Sequence, residues 1–495
     1  MKIICSLLTV YILISCSGTS HPAGSLVPEE PDIFPDYKGV TVPCNIAPLS
    51  FGLIDSISAA YAVFETVSGK KIEVKANDGQ FAVSMRKWKA LMADAVNNSL
   101  KITVLVLKDS EWIKYQPFSI FVSADPIDKY LVYRLIEPGY EIWNKMGIYQ
   151  RCLENFDEDA IITNKEMGYN CLNCHSFCNR QPDRMLFHVR DKHACTLVIK
   201  GDTVEKLNTK TPQTVSPLVY PSWHPSGKYV AFSVNNTKQM FHTTDANRIE
   251  VFDFVSDVVI YDVDNHEIIT SPLLSSATSF ETFPTFSPDG KTLFFCTADS
   301  VSMPYEYTKV HYNLCAVSFD PVTRTFGSEV DTLYNVSADS VGNVRGRSVS
   351  FPRVSPDGNY LMFTLAEYGN FSIWHKDADL YMLNLRTREI YPLNELNSCE
   401  TESYHSWSSN GRWVVFSSRR IDGLYTRPYI AYIGSDGKCA KPFLLPQKDA
   451  DFYHRFAKSF NIPELVTGKV RPSAYKLSRT AINEEGFQVG FADYK

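Results

Sequence analysis

The feature that most constrains the fold of this chain is a thirteen-residue segment that occurs four times. The copies are Pro221–Ser233, Pro284–Cys296, Pro352–Thr364 and His405–Ser417, and their first residues lie 53 to 68 positions apart. Each copy passes from a short apolar run through a turn of the Pro-Asp-Gly type into β-branched and aromatic residues, which is the composition of a buried strand. The repeat therefore predicts a series of similar β-sheets.

Further strands are predicted around these repeats. A third strand follows each copy, and the region just before the first copy contains two more candidates. These strands are Asp257–Asp264, Tyr312–Asp320, Asp379–Leu385, Tyr429–Ile433, Met185–Val189 and Thr196–Ile199. The repeats resemble the TolB-like, or PD40, β-propeller repeat over roughly residues 170–470. That resemblance implies an all-β propeller of five or six blades, with six preferred.

The remaining segments divide the chain into further regions. Apolar runs of strand length at 59–67, 70–75, 80–85, 99–108 and 117–123 predict a small β-sandwich-like domain over 36–125, with a short helix at Trp88–Val96. Residues 126–170 are rich in aromatic side chains and predict a partly helical connector. The propeller is assigned to 171–470, with its first blade at Cys171, and residues 471–495 form a C-terminal tail.

The first sixteen residues predict export and lipidation. Lys2 precedes an apolar run, Ile3–Ile14, that is too short to span a bilayer, and Leu13–Cys16 resembles a bacterial lipobox. The resemblance implies a signal peptide at 1–15, a lipid on Cys16, a tether over 16–35 and an outer-membrane address facing the periplasm. An uncleaved anchor or an ordinary signal peptide is the alternative. The net charge of −6 provides no basic field for nucleic acid.

Cys171-Leu172-Asn173-Cys174-His175 has the spacing that attaches a c-type haem. Cys171 and Cys174 would form thioethers, and His175 would be an axial iron ligand. Met185 and His188 are the leading candidates for the second axial position, ahead of His193 and His242. A disulfide within the motif or to Cys178, or a zinc site that includes Cys178, are the alternatives.

A second group of polar residues lies near predicted strand ends, where a propeller has the mouth of its channel. Its members could bind a partner or an anionic group, or they could form salt bridges between blades. They are His375, Asp377, Asp379, His405, Arg412, Arg419, Arg420 and Asp422.

Four passages together resemble Bacteroidetes lipoproteins described as TolB-like propellers with a Cys-x-x-Cys-His motif. The passages are 130–140, Cys171–Phe177 with Phe187–Arg190, Trp374–Leu380 and Glu402–Trp413. The resemblance implies architecture and haem c, but no activity. We predict a lipoprotein for electron transfer or redox sensing, with a protein partner in the cell envelope. A non-enzymatic scaffold with a structural cysteine pair is the runner-up, and a haem enzyme comes third. No Gly-x-Ser-x-Gly motif is present, which argues against a hydrolase of the prolyl-peptidase type.

Overall fold

The computed structural model describes residues 21–492, apart from 56, 138–144, 213, 215 and 339–345. Within these ranges the chain is all-β, as predicted. The predicted signal peptide and Cys16 lie outside the described residues. Among the helices that are described, none has the length and apolar character needed to cross a membrane.

The N-terminal unit contains the predicted strands and the predicted short helix. Its elements are β1 (Ser25–Leu26), β2 (Ile33–Phe34), β3 (Thr41–Pro43), β4 (Phe51–Leu53), β5 (Ala60–Glu65), β6 (Lys71–Lys75), β7 (Gln80–Phe81), α1 (Met85–Ala95), β8 (Asn98–Lys108), β9 (Glu111–Lys114) and β10 (Phe118–Ser123). A seven-stranded sheet is centred on β8, and β2, β4 and β7 form a second, three-stranded sheet. The indole of Trp88 on α1 packs edge-on against Phe64 on β5, so the helix covers one face of the large sheet.

The rest of the chain is a long series of strands with two short helices near its end. The elements are β11 (Tyr130–Ile136), β12 (Gly147–Cys152), β13 (Glu158–Thr163), β14 (Leu172–Phe177), β15 (Arg184–Val189), β16 (Cys195–Lys200), β17 (Thr203–Asn208), β18 (Leu218–Trp223), β19 (Tyr229–Phe241), β20 (Ile249–Asp262), β21 (Glu267–Ile269), β22 (Ser279–Phe286), β23 (Thr292–Asp299), β24 (Asn313–Asp320), β25 (Thr325–Phe326), β26 (Asp331–Tyr334), β27 (Ser348–Val354), β28 (Tyr360–Ala366), β29 (Asp379–Asn384), β30 (Ile390–Pro392), β31 (Glu402–Trp407), β32 (Trp413–Ser418), β33 (Arg427–Tyr432), β34 (Phe443–Leu444), α2 (Phe452–Arg455), β35 (Ser459–Val466), α3 (Ala474–Asn483), β36 (Phe487–Gln488) and β37 (Gly490–Phe491).

In the described residues these strands form six sheets, numbered here in chain order. Neighbouring strands are antiparallel, except where β36 and β37 are added at sheet edges. Sheet 1 has the order β35-β11-β12-β13, and sheets 2 to 6 begin with β14, β18, β22, β27 and β31. The first strand of each sheet contacts the first strand of the next sheet, and β35 contacts both β31 and β14. Apolar side chains fill the gap between every pair of successive sheets. Burial between facing sheets therefore supplies the core of this part of the molecule.

The prediction of a partly helical connector over 126–170 is wrong for its described residues. They form β11, β12 and β13, and β11 pairs along its length with the distant strand β35. The run from Tyr130 to Ile136 is rich in β-branched and aromatic residues, which favours a strand once a partner is available. The Cys-x-x-Cys-His motif consequently lies at the start of sheet 2 and not in the first sheet.

The C-terminal tail is also structured up to residue 492. Leu477 and Ala481 of α3 pack into the core between sheets 1 and 2. The short strands β36 and β37 then add in parallel to the outer edges of sheets 2 and 3. The tail therefore covers two sheet edges that would otherwise present unpaired backbone groups.

The first strand of every one of the six sheets contains a β-bulge with one residue at positive φ. The six residues are Cys174, Tyr220, Phe283, Phe351, Tyr404 and Ile462, with φ between 48° and 53°, and each lies at a register shift of its sheet. Such a conformation costs about 1–2 kcal/mol for a residue with a side chain. Its recurrence at one position shows that all six strands share the same backbone design.

Candidate functional site

A cavity of about 1400 Å³ is bordered by the first strands of five of the six sheets, all except β22. The bulge residues Tyr220, Phe351 and Tyr404 line it, and Phe283 packs between Tyr220 and Phe351; we call these four residues the aromatic layer. Successive ring centroids in this layer are 4.6, 4.2 and 4.7 Å apart. These spacings are those of packed aromatic pairs, so the layer provides an apolar, rigid surface beneath the cavity.

The remaining two bulge positions hold Ile462 and Cys174, and both border the same cavity. Cys171 and His175 border it as well, so the structure brings the three predicted haem-binding residues to one surface. We call Arg134 with residues 171–175 and 188–191 the cysteine wall. Both thiols are free and buried, and burial raises the pKa of Cys171.

Arg134 fixes the cysteine wall from the neighbouring sheet. Its guanidinium, on β11, donates to the carbonyl oxygen of Leu172 at 3.3 Å and to the side-chain oxygen of Asn173. The same Asn173 oxygen accepts a hydrogen bond from the backbone N–H of Cys174 at 2.9 Å. Arg134 therefore holds the backbone of the motif in place while lining the cavity itself.

His175 is a buried neutral imidazole. Burial, reinforced by the charge of Arg134, lowers the pKa of His175 to about 3. Neither of its ring nitrogens makes a well-formed hydrogen bond within the described part of the chain, although backbone groups of Ile462 and Val132 lie close enough to oppose the lowering of its pKa. A buried polar side chain without a well-formed hydrogen bond is unusual.

The same position is occupied in sheet 6 by His405. Each histidine directly follows a bulge residue, Cys174 or Tyr404, and the other four sheets have proline there. His405 donates from Nε2 to the carbonyl oxygen of Met362 on the preceding sheet at 2.9 Å, and burial lowers the pKa of His405 to about 3. His405 is therefore a structural counterpart of His175 that lies away from the cavity lining.

The two candidates for the second axial position lie in different surroundings. His188 borders the cavity; its Nδ1 is 2.8 Å from the hydroxyl of Thr196, and its Nε2 is buried without a partner. Burial lowers the pKa of His188 to about 3. Met185 is completely buried in the apolar core between sheets 1 and 2 and is absent from the cavity lining.

The structure adds one sulfur ligand candidate that the sequence analysis missed. Met146 lines the cavity, and its sulfur accepts from the backbone N–H of Leu172 at 3.2 Å. No sequence pattern distinguished it, because it reaches the motif only through the packing of sheet 1 against sheet 2. Of the other histidines considered, His242 borders the cavity and His193 does not.

Nothing in the described structure assembles the alternative sites. The Cys178 sulfur approaches the carbonyl oxygen of His224 at 3.7 Å, and Cys178 is not among the residues that line the cavity. Across the described ranges, no group of three or more His, Cys, Asp or Glu side chains is arranged to hold a metal ion. The ten described cysteines are all free thiols.

The electrostatics of the cavity oppose those of the whole chain, whose net charge is −6. The lining contains seven basic residues and three acidic ones. The basic residues are Arg134, Lys145, Arg190, Lys210, Lys238, Arg248 and Arg353. Burial raises the pKa of one acid, Glu464, to about 8, so this carboxyl group is mostly uncharged at neutral pH. The cavity is therefore an attractive site for an anion.

The other predicted polar group lies outside the cavity, because none of its eight members lines it. Asp377 forms an ion pair with Arg347 at 3.0 Å, and Arg420 forms one with the buried Glu402 at 3.1 Å. Arg419 stacks on Trp374 with its guanidinium 3.5 Å from the ring centre. Asp379 lies near Asp377, Arg347 and Glu402, and burial raises the pKa of Asp379 to about 6. Arg412 is partly exposed, and Asp422 lies 3.7 Å from Arg427 and near Arg419.

No family model matches the sequence, and no curated protein matches it. Among solved structures, the chain is similar to prolyl oligopeptidase B from Galerina marginata (10% identity, TM-score 0.35, covering 77% of this chain and 52% of that one). It is also similar to dipeptidyl peptidase 4 from Porphyromonas gingivalis (11% identity, TM-score 0.30, 86% and 60%). A third similarity is to a GH43 endo-arabinanase from Bacillus licheniformis (10% identity, TM-score 0.29, 52% and 93%). Similarities of this size carry no argument about what the chain does.

Proposed function

We propose that the six sheets close into a six-bladed β-propeller and that its central cavity holds a c-type haem. Two observations support the closed ring. Contacts between first strands run from β14 through β31 and return through β35, and the bulge recurs at the equivalent position of every sheet. Pairing of the late strand β35 with β11 would join the two ends of the ring.

The observation that carries the haem proposal is the combination of donors on the cysteine wall. Two free thiols, Cys171 and Cys174, and the imidazole of His175, whose ring nitrogens make no well-formed hydrogen bond, border one cavity that is large enough for a planar macrocycle. Thiols and a neutral imidazole are the groups that attach haem c and ligate its iron. The residues present therefore fit the group in chemistry and in available volume.

The neighbouring residues have separate roles in this proposal. Thr196 holds Nδ1 of His188 and leaves Nε2 free to act as a ligand, which is the usual outer-shell arrangement of a metal-binding histidine. Arg134 and Arg190 offer cationic partners for the carboxylates of a porphyrin. The aromatic layer excludes water from beneath the cavity. When bound, haem would supply a one-electron iron couple.

On this basis the protein is an electron-transfer or redox-sensing lipoprotein, anchored through Cys16 to the outer membrane and facing the periplasm. The propeller would be the scaffold that presents the cofactor to a protein partner in the envelope. In sequence, a folded N-terminal unit lies between Cys16 and the residues that line the cavity, which supports such a tethered arrangement.

The test is to express the full chain with a cytochrome c maturation system and to measure its mass and pyridine haemochrome spectrum. We expect one covalent haem, and we expect Cys171→Ala with Cys174→Ala to abolish it. His405→Gln is a matched control for His175→Gln, since the two histidines hold equivalent positions. Only the change at 175 should alter the haem spectrum. Wild-type protein that carries no covalent haem under these conditions would refute the proposal.

The equivalence of His175 and His405 also favours a second candidate function. If His175 only fills the gap after a bulge, as His405 does, the cysteines are structural and the protein is a non-enzymatic binding or scaffold protein of the envelope. In that case the two His→Gln variants would lower stability by similar amounts, and neither would change any absorption in the visible range.

A further inference from the structure

One wall of the cavity is a hairpin that extends beyond its own sheet. Strand β18 pairs with β19 only as far as Val234, whereas β19 and β20 continue to pair with each other up to Phe241 and Ile249. We call residues 235–256 the hairpin wall. Residues 235–239 and 241–243 line the cavity, as do Arg248, Ile249 and Val251.

The hairpin wall is fastened to sheet 5, which is two sheets away. Its seat is the segment 368–376 between β28 and β29. The buried carboxylate of Glu250 accepts hydrogen bonds from Nε2 of His375 at 3.0 Å and from the hydroxyl of Tyr368 at 2.6 Å. Asn370 donates to Asp253 at 2.6 Å. The hairpin thus borders the cavity and is held by side chains of sheet 5, while its strands also contact β22 of sheet 4 and Phe252 stacks on Tyr307.

A further contact places the tip of the hairpin against the end of the seat. The side-chain oxygen of Asn247 accepts from the backbone N–H of Lys376 at 3.2 Å, and the amide of Asn247 donates to the Tyr368 hydroxyl at 3.2 Å. All of these bonds involve side chains at one or both ends, and no strand pairing joins the hairpin to sheet 5 in the described residues. Such a contact can open without unfolding either sheet.

The lining contributed by the hairpin and its seat is cationic and aromatic. Lys238 and Arg248 lie on the hairpin, and Phe371 and Trp374 lie on the seat. The Nε2 atom of His242 is buried without a hydrogen-bond partner in the described structure. These groups are suited to a ligand that has a flat conjugated ring and an anionic group.

The size of the cavity leaves room for such a ligand in addition to a cofactor. Pockets for one drug-sized ligand have volumes of roughly 300–1,000 Å³, and this cavity has about 1400 Å³. We propose that the hairpin wall and its seat form a second binding site, for a small anionic aromatic molecule, which enters when the hairpin lifts off residues 368–376. This site uses no residue of the cysteine wall and does not depend on haem attachment.

The probe for this proposal is 8-anilinonaphthalene-1-sulfonate, an anionic aromatic dye whose fluorescence rises on binding. We expect saturable binding both to haem-loaded protein and to the Cys171→Ala, Cys174→Ala variant. Lys238→Gln with Arg248→Gln should weaken it about tenfold, because charged partners of the sulfonate are lost. Lys438→Gln with Arg388→Gln removes two charges from the exposed surface elsewhere and should leave the Kd unchanged.

Two results would overturn the site. One is equal dye affinity in the Lys238→Gln, Arg248→Gln variant and in wild type. The other is binding to the haem-free variant but not to haem-loaded protein, since the dye would then report only the haem pocket. A haem-free wild type with intact dye binding would refute the haem proposal alone.

The route of entry is tested by locking the hairpin. Asn247→Cys with Lys376→Cys joins the tip to its seat on oxidation, and Cys399→Ser is included because Cys399 lies near Lys376. We expect dye association and dissociation at least tenfold slower in the oxidised protein than in the same protein after reduction. Equal rates in the two states would exclude entry beneath the hairpin.

Discussion

His405 lies buried between two sheets, and its imidazole makes the stability of this molecule depend on pH. It is 3% exposed and donates to Met362, and burial lowers its pKa from 6.5 to about 3. In the unfolded chain the imidazole binds a proton below pH 6.5, whereas in the folded chain it stays neutral. Between about pH 3 and 6.5 the imidazole of His405 must therefore lose its proton when the chain folds. The free energy of unfolding consequently decreases as the pH falls through that range.

The magnitude follows from the two pKa values. From pH 7.5 to pH 5.0 the loss of this proton on folding lowers the free energy of unfolding by about 2 kcal/mol for this one group. His405→Gln keeps a donor for the Met362 carbonyl but cannot be protonated. We expect the variant to be less stable than wild type by about 1 kcal/mol at pH 7.5 and more stable than wild type by about 1 kcal/mol at pH 5.0.

The assay is urea unfolding of both proteins at the two pH values, followed by intrinsic fluorescence. The other titrating groups are shared by the two proteins, so their contributions cancel in the difference between them. A difference in the free energy of unfolding that stays constant from pH 7.5 to 5.0 would refute a buried, neutral His405.

Three further predictions concern other parts of the chain. Gly290 and Gly358 have φ of 73° and 72°, but only at Gly290 would a Cβ meet a side chain closely, that of His224. Gly358→Ala should therefore lower the free energy of unfolding by about 1 kcal/mol, and Gly290→Ala should lower it clearly more. The same urea assay measures both. Cys16→Ala should leave the protein soluble or unprocessed, and recovery of the variant in the membrane fraction with a normal mature mass would contradict lipidation. Thr196→Val removes the bond to Nδ1 of His188 and should change the haem absorption spectrum while leaving covalent attachment intact; an unchanged spectrum would argue against His188 as a ligand.

Local sequence was sufficient to predict four of the six sheets, because their turns carry Gly at positive φ and their strands are apolar. The φ values at Gly290 and Gly358 confirm the predicted turns. The predicted third strands and the short helix near Trp88 also lie where expected. In these places the local preference and the final packing agree, so the pattern could be read without knowledge of distant residues.

The first sheet could not be predicted in the same way. Tyr130–Ile136 pairs with Ser459–Val466, more than 300 residues later, and no local signal specifies that pairing. The copies of the bulge at Ile462 and Cys174 lack the Gly at positive φ that marks the turns of the other four copies. Tyr130–Ile136 was therefore assigned to the connector, whereas Ser459–Val466 fell within the predicted propeller.

The charge of the cavity was equally inaccessible from composition. The seven basic residues of the lining come from different sheets and from the hairpin, and over the whole chain acidic residues outnumber basic ones by 55 to 49. Only the tertiary structure places these seven around one volume. The same applies to Met146, which reaches the motif through tertiary structure alone.

The motif itself was visible, but its relation to the repeat was not. Cys174-His175-Ser176-Phe177 has the same place in sheet 2 as Tyr404-His405-Ser406-Trp407 has in sheet 6. The bulge that places an aromatic ring on the cavity in three sheets places a thiol there in sheet 2. A candidate site has thus been formed by changing side chains at a position whose backbone the scaffold already specifies. Because the same bulge position holds Tyr, Phe or Ile in the other five sheets, we expect Cys174→Ala to keep the fold, so that this variant tests chemistry separately from stability.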